Sequence, residues 1–228
     1  LIRAAAPAMM AGNTVVLKHA SNVPRCALAL EDAFQQAGFP LNTFRTLMIS
    51  AEQTEAVIAD RRIAAVTLTG SSAAGRKVAA IAGQHLKKCV LELGGSDPFI
   101  VLDDADIELT AKQALVARFQ NMGQSCVAHF KALVSQLRSG DPKNEATGIA
   151  PMARTDLRDE LHRQVERSLA ADAKLVIGGS CIEKQGAYYA PTILDDVQPG
   201  MPAFDEELFG PVAAIVRTVF AQPALATA

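Results

Sequence analysis

The stretch Phe119-Gln120-Asn121-Met122-Gly123-Gln124-Ser125-Cys126 carries a helical pattern into a polar, glycine-containing turn that ends on a cysteine. Upstream, Leu91-Glu92-Leu93-Gly94-Gly95 sets one carboxylate between leucines and closes on two glycines. A thiolate is a nucleophile, and helix N-termini or nearby donors lower its pKa. A carboxylate within an apolar strand is costly to bury unless it has a task or a partner. Burial raises its pKa toward the range of a general base. Cys126 and Glu92 are therefore the candidate nucleophile and base. The competing readings are an inert buried cysteine and an edge-facing acid on an alternating strand. A turn position shifts Cys126 toward reactivity, because loops carry function.

Three further stretches could serve such a pair. Thr69-Gly70-Ser71-Ser72-Ala73-Ala74-Gly75 joins a strand pattern to a helix pattern, so free backbone N–H groups point at whatever lies there, and a phosphate is the natural guest. It matches neither GxGxxG nor a P-loop, and on pattern alone an ordinary strand–helix turn is the stronger reading. Lys18 ends a strand and could hold ribose or phosphate, or be an exposed terminus. Glu207, in Glu206-Glu207-Leu208-Phe209-Gly210-Pro211, is a candidate site acid or a solvated loop acid. Gly94 lets backbone approach a ligand closely. His19, His85, His129 and His162 are scattered without HExxH spacing, which argues against a metal site. Cys26, Cys89, Cys126 and Cys181 form no CxxC, which argues against zinc and a disulfide framework. Cys26 in a helical Ala/Leu pattern and Cys89 in a strand pattern read as small core residues.

The elements that must position these residues follow from periodicity. Helices are expected over 3–10, 25–37, 52–59 and 72–83, and strands over 14–17, 45–49, 64–69 and 88–93. Strand and helix alternate four times, which argues for one parallel sheet with right-handed crossovers, whose ligands gather at the C-terminal strand ends. Lys18, Gly70-Ser71 and Glu92 all fall there. After Gly95 the texture changes. Strands are expected at Pro98–Leu102, Val127–Val134, Lys174–Ile177, Ala187–Leu194 and Val212–Val216, and helices from the Asp103–Asp106 cap to about Gln120 and over 155–171. Two parts result, 1–94 and 95–228.

The chain has 228 residues, half of them apolar, enough for a globular core. A formal net charge of −2 offers no field to hold nucleic acid or anionic lipid. No apolar run reaches the ~20 residues of a membrane span. Leu1–Pro7 lacks a signal-peptide layout, and the chain reads as an internal piece of something longer in the reducing cytoplasm.

Leu91-Glu92-Leu93-Gly94-Gly95-Ser96 followed by Gly123-Gln124-Ser125-Cys126 resembles the glutamate and cysteine signatures of the NAD(P)-dependent aldehyde dehydrogenase superfamily. Thr69-Gly70-Ser71 with Gly75, Val16-Leu17-Lys18, and Glu207-Leu208-Phe209-Gly210-Pro211 resemble further motifs of that family in the same order. The wording of residues 17–24 and 92–99 is most similar to bacterial succinate-semialdehyde dehydrogenase members. The resemblance implies an α/β fold, with a Rossmann-like parallel-sheet cofactor domain and an α/β catalytic domain. It implies oxidation of a small-molecule aldehyde, a semialdehyde above all, with NAD or NADP. By the same resemblance Cys126 attacks the carbonyl, Glu92 activates the water that hydrolyses the thioester, and Lys18 holds the adenosine ribose. Gly70 and Ser71 meet the pyrophosphate, Gly94 lets the backbone approach the nicotinamide, and Glu207 holds the nicotinamide ribose with Phe209 beside it. Family members that prefer NAD often carry glutamate at the position of Ser21, so serine there admits NADP.

Departures accompany the likeness. The family's N-terminal segment is missing, with an asparagine that helps form the oxyanion hole, a donor worth about 10²–10³ in rate. Ser135-Gln136 bridges a gap that an amphipathic helix fills in the family. Gly148 and Ala150 stand where Asp and Gly are common, and the pattern breaks off after Arg217. Family members are homo-oligomers, and the oligomerisation strand is among the missing parts. An inactive remnant and a cofactor-free thiol esterase are the alternative expectations.

Overall fold

The computed structural model describes residues 2–102, 104–124, 137–144 and 147–217. Cys126, the strand expected over 127–134, the Ser135-Gln136 bridge and the Ala-rich end from Ala221 lie outside them. The chain divides into two compact units, Leu1–Gly94 and Gly95–Ala228.

In the first unit, helix α1 (Ile2–Met10) precedes β1 (Val15–Lys18), α2 (Pro24–Gln36) and β2 (Phe44–Leu47). Pro24 opens α2, where its fixed φ and missing N–H cost nothing. Gly38, at φ +83, supplies the left-handed exit. Strands β1 and β2 pair in parallel, from Val15 opposite Phe44 to Lys18 opposite Leu47. Helix α2 is fastened to β2 at several points, among them the Thr46 hydroxyl, which donates to the Ala27 carbonyl at 3.0 Å. Phe34 lies 4.9 Å from Phe44, ring to ring. The buried Glu31 accepts the Thr46 N–H at 2.6 Å and pairs with Arg45 at 2.7 Å.

Next come α3 (Thr54–Ala59), β3 (Ala65–Thr69), α4 (Ser72–Gln84) and β4 (Lys88–Glu92). Strands β3 and β4 are parallel, with Thr69 opposite Glu92. The sequence suggests one four-stranded sheet. The ladders instead form two separate pairs, β1–β2 and β3–β4. Cys26, expected in the core, is exposed on α2. The interior of α2 is taken by Ala27 and Glu31.

In the second unit, Pro98–Leu102 forms no strand. Ile100, Val101 and Leu102 remain exposed. Helix α5 (Ile107–Phe119) is capped by Asp106, whose Oδ1 accepts the Leu109 N–H at 2.9 Å, and runs into a 3₁₀ turn over Gln120–Gly123. Helix α6 (Thr155–Ala170) is amphipathic and buries Leu161, Gln164, Val165 and Ser168. Strands β5 (Lys174–Ile177), β6 (Thr192–Asp195) and β7 (Val212–Ala214) form a sheet with β6 central, antiparallel to β5 and parallel to β7. The strand expected over 187–194 is shorter. Ala187 and Tyr189 make single bridges, and regular pairing begins at Thr192, just past Pro191, which has no N–H to give a ladder. A short helix, α7 (Pro202–Asp205), precedes β7. The core packs Met152, Leu161, Val165, Tyr189, Leu194, Leu208 and Val212 together, with a second cluster of Phe119, Ile149, Ile193 and Ala213.

Candidate active site

The strand ends of β3 and β4 bring part of the expected site together. The Gly70 N–H donates to the Glu92 carbonyl oxygen at 3.0 Å, so the turn after β3 is tied to the residue that carries the candidate base. Ser71 is the N-cap of α4, in extended conformation, and its Oγ accepts the Ala74 N–H at 3.3 Å. The Gly70 N–H is therefore committed within the fold. What an anion would meet at this helix start is the first-turn amides of Ser72 and Ala73, which have no carbonyl one turn back to bond. Gly75 is buried, and a Cβ there would lie 2.5 Å from Leu93 Cδ2. Glycine lets α4 close onto the end of β4.

Glu92 is exposed. The expectation of a carboxylate buried in an apolar strand is thus corrected. Along β4 the pattern alternates, and Glu92 shares its open face with Lys88 and with Val90, which is 60% exposed. A period of two places Leu91 and Glu92 on opposite faces, so flanking leucines do not imply an apolar surrounding. Gly94 is exposed as well. Lys18 is half-buried at the end of β1, and Ser21 is exposed in the turn that follows. The Glu52 carboxylate is held below its usual range first by a hydrogen bond from Ser50 and, more weakly, by the Lys18 ammonium.

In the second unit the chain is described up to Gln124, two residues short of Cys126. It approaches the cysteine through a tight turn in which Asn121 (φ 51) and Gly123 (φ 69) are both left-handed. Asparagine and glycine are the residues that tolerate this region. The Gln124 N–H donates to the Asn121 carbonyl at 3.0 Å. The Gln124 Nε2 is buried and has no hydrogen-bond partner among the described residues. A Cβ at Gly123 would stand 2.1 Å from the Gly210 carbonyl oxygen and 2.9 Å from the Pro211 nitrogen. The turn ahead of Cys126 thus packs backbone to backbone on the segment that carries Glu207.

That segment is held from the other side by α6. Glu206 pairs with Arg167 at 2.8 Å and accepts from Gln164 Nε2 at 2.9 Å, and these bonds hold its carboxyl below the usual range. Gln164 Nε2 also donates to the Glu207 carbonyl at 3.2 Å. Of the two adjacent acids, Glu206 fastens the loop. Glu207 is half-buried, and Phe209 is 39% exposed between the buried Leu208 and Gly210.

Sequence reasoning passed over Arg118. Its guanidinium donates to four carbonyl oxygens: Gly123 at 3.0 Å, Leu208 at 2.6 Å, Gly210 at 3.0 Å and Val212 at 2.6 Å. Burial pushes its pKa down to about 10, and the nearby Glu207 carboxylate pushes it back up. The guanidinium stays charged at neutral pH. One signal was available: Arg118 is the basic residue in the last turn of α5, the place where a cation finds unpaired carbonyls. Gln164 was missed too, as one polar position on an amphipathic helix.

Comparisons with known proteins place these features. A family model, "Aldehyde dehydrogenase family", matches residues 1–228. Succinate semialdehyde dehydrogenase [NAD(P)+] Sad of Escherichia coli K12 is 48% identical over 241 residues, covering 99% of this chain and 52% of its own length. Succinate-semialdehyde dehydrogenase [NADP(+)] 1 of Mycobacterium tuberculosis H37Rv is 45% identical over 232 residues, covering 95% of this chain and 51% of its own length. The alignment with the E. coli enzyme is 13 positions longer than the 228-residue chain, so that relative carries at least that many positions with no counterpart here. Among solved structures, succinic semialdehyde dehydrogenase from Streptococcus pyogenes in complex with NADP+ superposes with TM-score 0.95 at 35% identity, covering the whole of this chain and 53% of its own. Gox0499 superposes with TM-score 0.94 at 40% identity over 99% of this chain and 53% of its own. The chain spans about half the length of the curated relatives it matches. A model matched from first residue to last, and the same fold in relatives at these identities, lead to one conclusion: the chain belongs to the aldehyde dehydrogenase family.

Proposed function

We propose that this chain carries the chemistry of NAD(P)-dependent aldehyde oxidation, with succinate semialdehyde as the first substrate to test. The observation that carries the reading is the family match over all 228 residues, with the candidate nucleophile and base inside it. The names of the relatives at 48% and 45% identity support the substrate. Residues 1–94 serve as the dinucleotide-binding part and residues 95–228 as the catalytic part.

In this reading the Cys126 thiolate adds to the aldehyde carbon and forms a thiohemiacetal. A bound dinucleotide would supply the hydride acceptor through which this adduct becomes a thioester on the Cys126 sulfur. Glu92 takes a proton from the water that then hydrolyses the thioester to the carboxylate and frees the thiol. The residues present fit such a cofactor in kind. The α4 N-terminus offers unpaired amides to a pyrophosphate, and Lys18 and Glu207 offer a cation and an acid to ribose hydroxyls. Gly94 allows close backbone approach, and Phe209 offers an exposed ring. Gly70 and Ser71 act by shaping the helix start. Ser21 sets no negative charge against a 2′-phosphate, so NADP is admitted beside NAD.

Single-turnover absorbance with succinate semialdehyde and NADP+ or NAD+ tests this reading. A burst of reduced cofactor is expected, absent in Cys126→Ala and retained in Glu92→Gln with slowed steady-state turnover. Cleavage of a nitrophenyl ester with no cofactor binding would instead mark a thiol esterase, and neither activity would mark an inactive remnant. A Glu92→Gln variant at full steady-state rate would refute the role of Glu92.

A further inference from the structure

Arg118 reaches two separated stretches of chain at once. Its Nη1 bonds the Gly123 carbonyl, three residues ahead of Cys126, while Nη2 and Nε bond Leu208, Gly210 and Val212, just past Glu207. Every acceptor is a backbone oxygen, so the bonds fix the course of the chain and leave side chains free. Only a planar fork of donors can do this. A lysine ammonium has three donors on one point and cannot span acceptors on both stretches. Burying a cation is expensive, and where a tie has only to hold elements together, apolar packing does it at lower cost. The fold nevertheless spends a half-buried guanidinium where the approach to Cys126 meets the Glu207 segment. Those stretches already touch backbone to backbone at Gly123 and Gly210. That contact sets their spacing, and the fork sets their register.

We propose that Arg118 is a positioning residue, which locks the turn leading to Cys126 in register with the segment that carries Glu207 and Phe209. The proposal rests on the aldehyde-oxidation reading for its kinetic readout but not for its chemical one. Loosening the lock misplaces the nucleophile's loop and the acid's loop together, so cofactor use and thiol reactivity change in the same variant.

The test compares wild type with Arg118→Lys, which keeps the charge facing Glu207 but loses the fork. Tyr189→Phe is the control for lost stability. It removes a hydroxyl in the core of the second unit that lies 3.1 Å from His162 Nδ1, and neither residue belongs to or adjoins either loop along the chain. Two quantities are measured at a temperature where melts show all three proteins folded: the rate of Cys126 alkylation by iodoacetamide, read by mass spectrometry, and the cofactor KM in aldehyde oxidation. Arg118→Lys is expected to change the alkylation rate at least fivefold and raise the cofactor KM at least tenfold. Tyr189→Phe is expected to stay within twofold on both. Arg118→Lys within twofold of wild type on alkylation overturns the proposal, since charge alone would then suffice. Equal changes in Tyr189→Phe also overturn it, because the effect would be general loosening. If wild type oxidises no aldehyde, the oxidation reading fails by itself, and the alkylation comparison still decides the role of Arg118.

Discussion

At the scale of single residues, the two ends of the Cys126 turn are differently constrained. Gly123 combines a φ of 69° with a Cβ position 2.1 Å from a backbone oxygen, so a methyl there meets strain and a wall together. Gly123→Ala is expected to lower the stability of the second unit by on the order of 2–3 kcal/mol, read from the urea midpoint at unchanged m-value. A loss under 0.5 kcal/mol would show that the turn can rearrange. Ser21 is the residue where cofactor choice can be tested. Ser21→Glu adds a negative charge that would repel a 2′-phosphate. It is expected to weaken NADP+ relative to NAD+ at least tenfold by titration calorimetry, and an unchanged ratio would remove Ser21 from cofactor selection. Residue types pointed to Cys126 and Glu92 because nucleophile and base chemistry is written in side chains. Arg118 stayed hidden because its partners are backbone carbonyls up to 94 positions away, and backbone oxygens look alike in any sequence.

At the scale of elements, the alternation of strand and helix in residues 14–92 was readable to within about two residues at most boundaries, since each element carries its own period and caps. The failures have a common physical origin. Pro98–Leu102 has the composition of a strand but forms none. The 187–194 run is interrupted where Pro191 has no N–H to donate. Pairing is a property of two segments, and a single run of apolar residues does not specify the second. The burial of Glu92 was misjudged for a related reason: its exposure depends on which face of β4 is covered. The grip of α6 on the 206–211 segment carries a pH dependence. Glu206 has its folded pKa depressed, first by Arg167 and then by Gln164, so its contribution is present above its ordinary 4.5 and is lost as pH falls through the lower folded value. The pair is partly exposed, so its worth is at most about 1 kcal/mol. Glu206→Gln is expected to flatten stability between pH 5 and about 3 relative to wild type, measured by thermal melts across that range. Parallel curves would mean that Glu206 is not part of the acid response.

At the scale of the molecule, the two units differ in how much they bury. Among the described residues the first unit's buried apolar side chains are Ala5, Ala27, Phe44, Ile58 and Ala82, three of them alanine. The second unit buries Leu161, Val165, Tyr189, Ile193, Leu194 and Val212 at 1% exposure or less. Burial scales with apolar area, so the first unit has far less to set against chain entropy. Hydrogen exchange is expected to show the amides of β1–β4 opening at least about 100-fold more readily than those of β6 and β7. Equal protection in both units would mean that they open as one. No helix among the described residues is long and apolar enough to cross a membrane. The sequence conveyed the α/β class through its alternation. It could not convey that the strands of the first unit would pair two by two, because that choice rests on which edges meet.

Gly123 and Gly210 read identically in a sequence, and their contact makes them unequal partners in drift. A side chain at 210 would press on Leu161 Cδ2 and Met152 Cε, the loose ends of side chains that a neighbouring substitution can shorten. A side chain at 123 would press on a carbonyl that every residue type possesses. Lineages can therefore leave glycine at 210 by way of a compensating change, whereas position 123 offers them no such route. Gly123 is thus hard to exchange for reasons that do not involve the chemistry of sulfur.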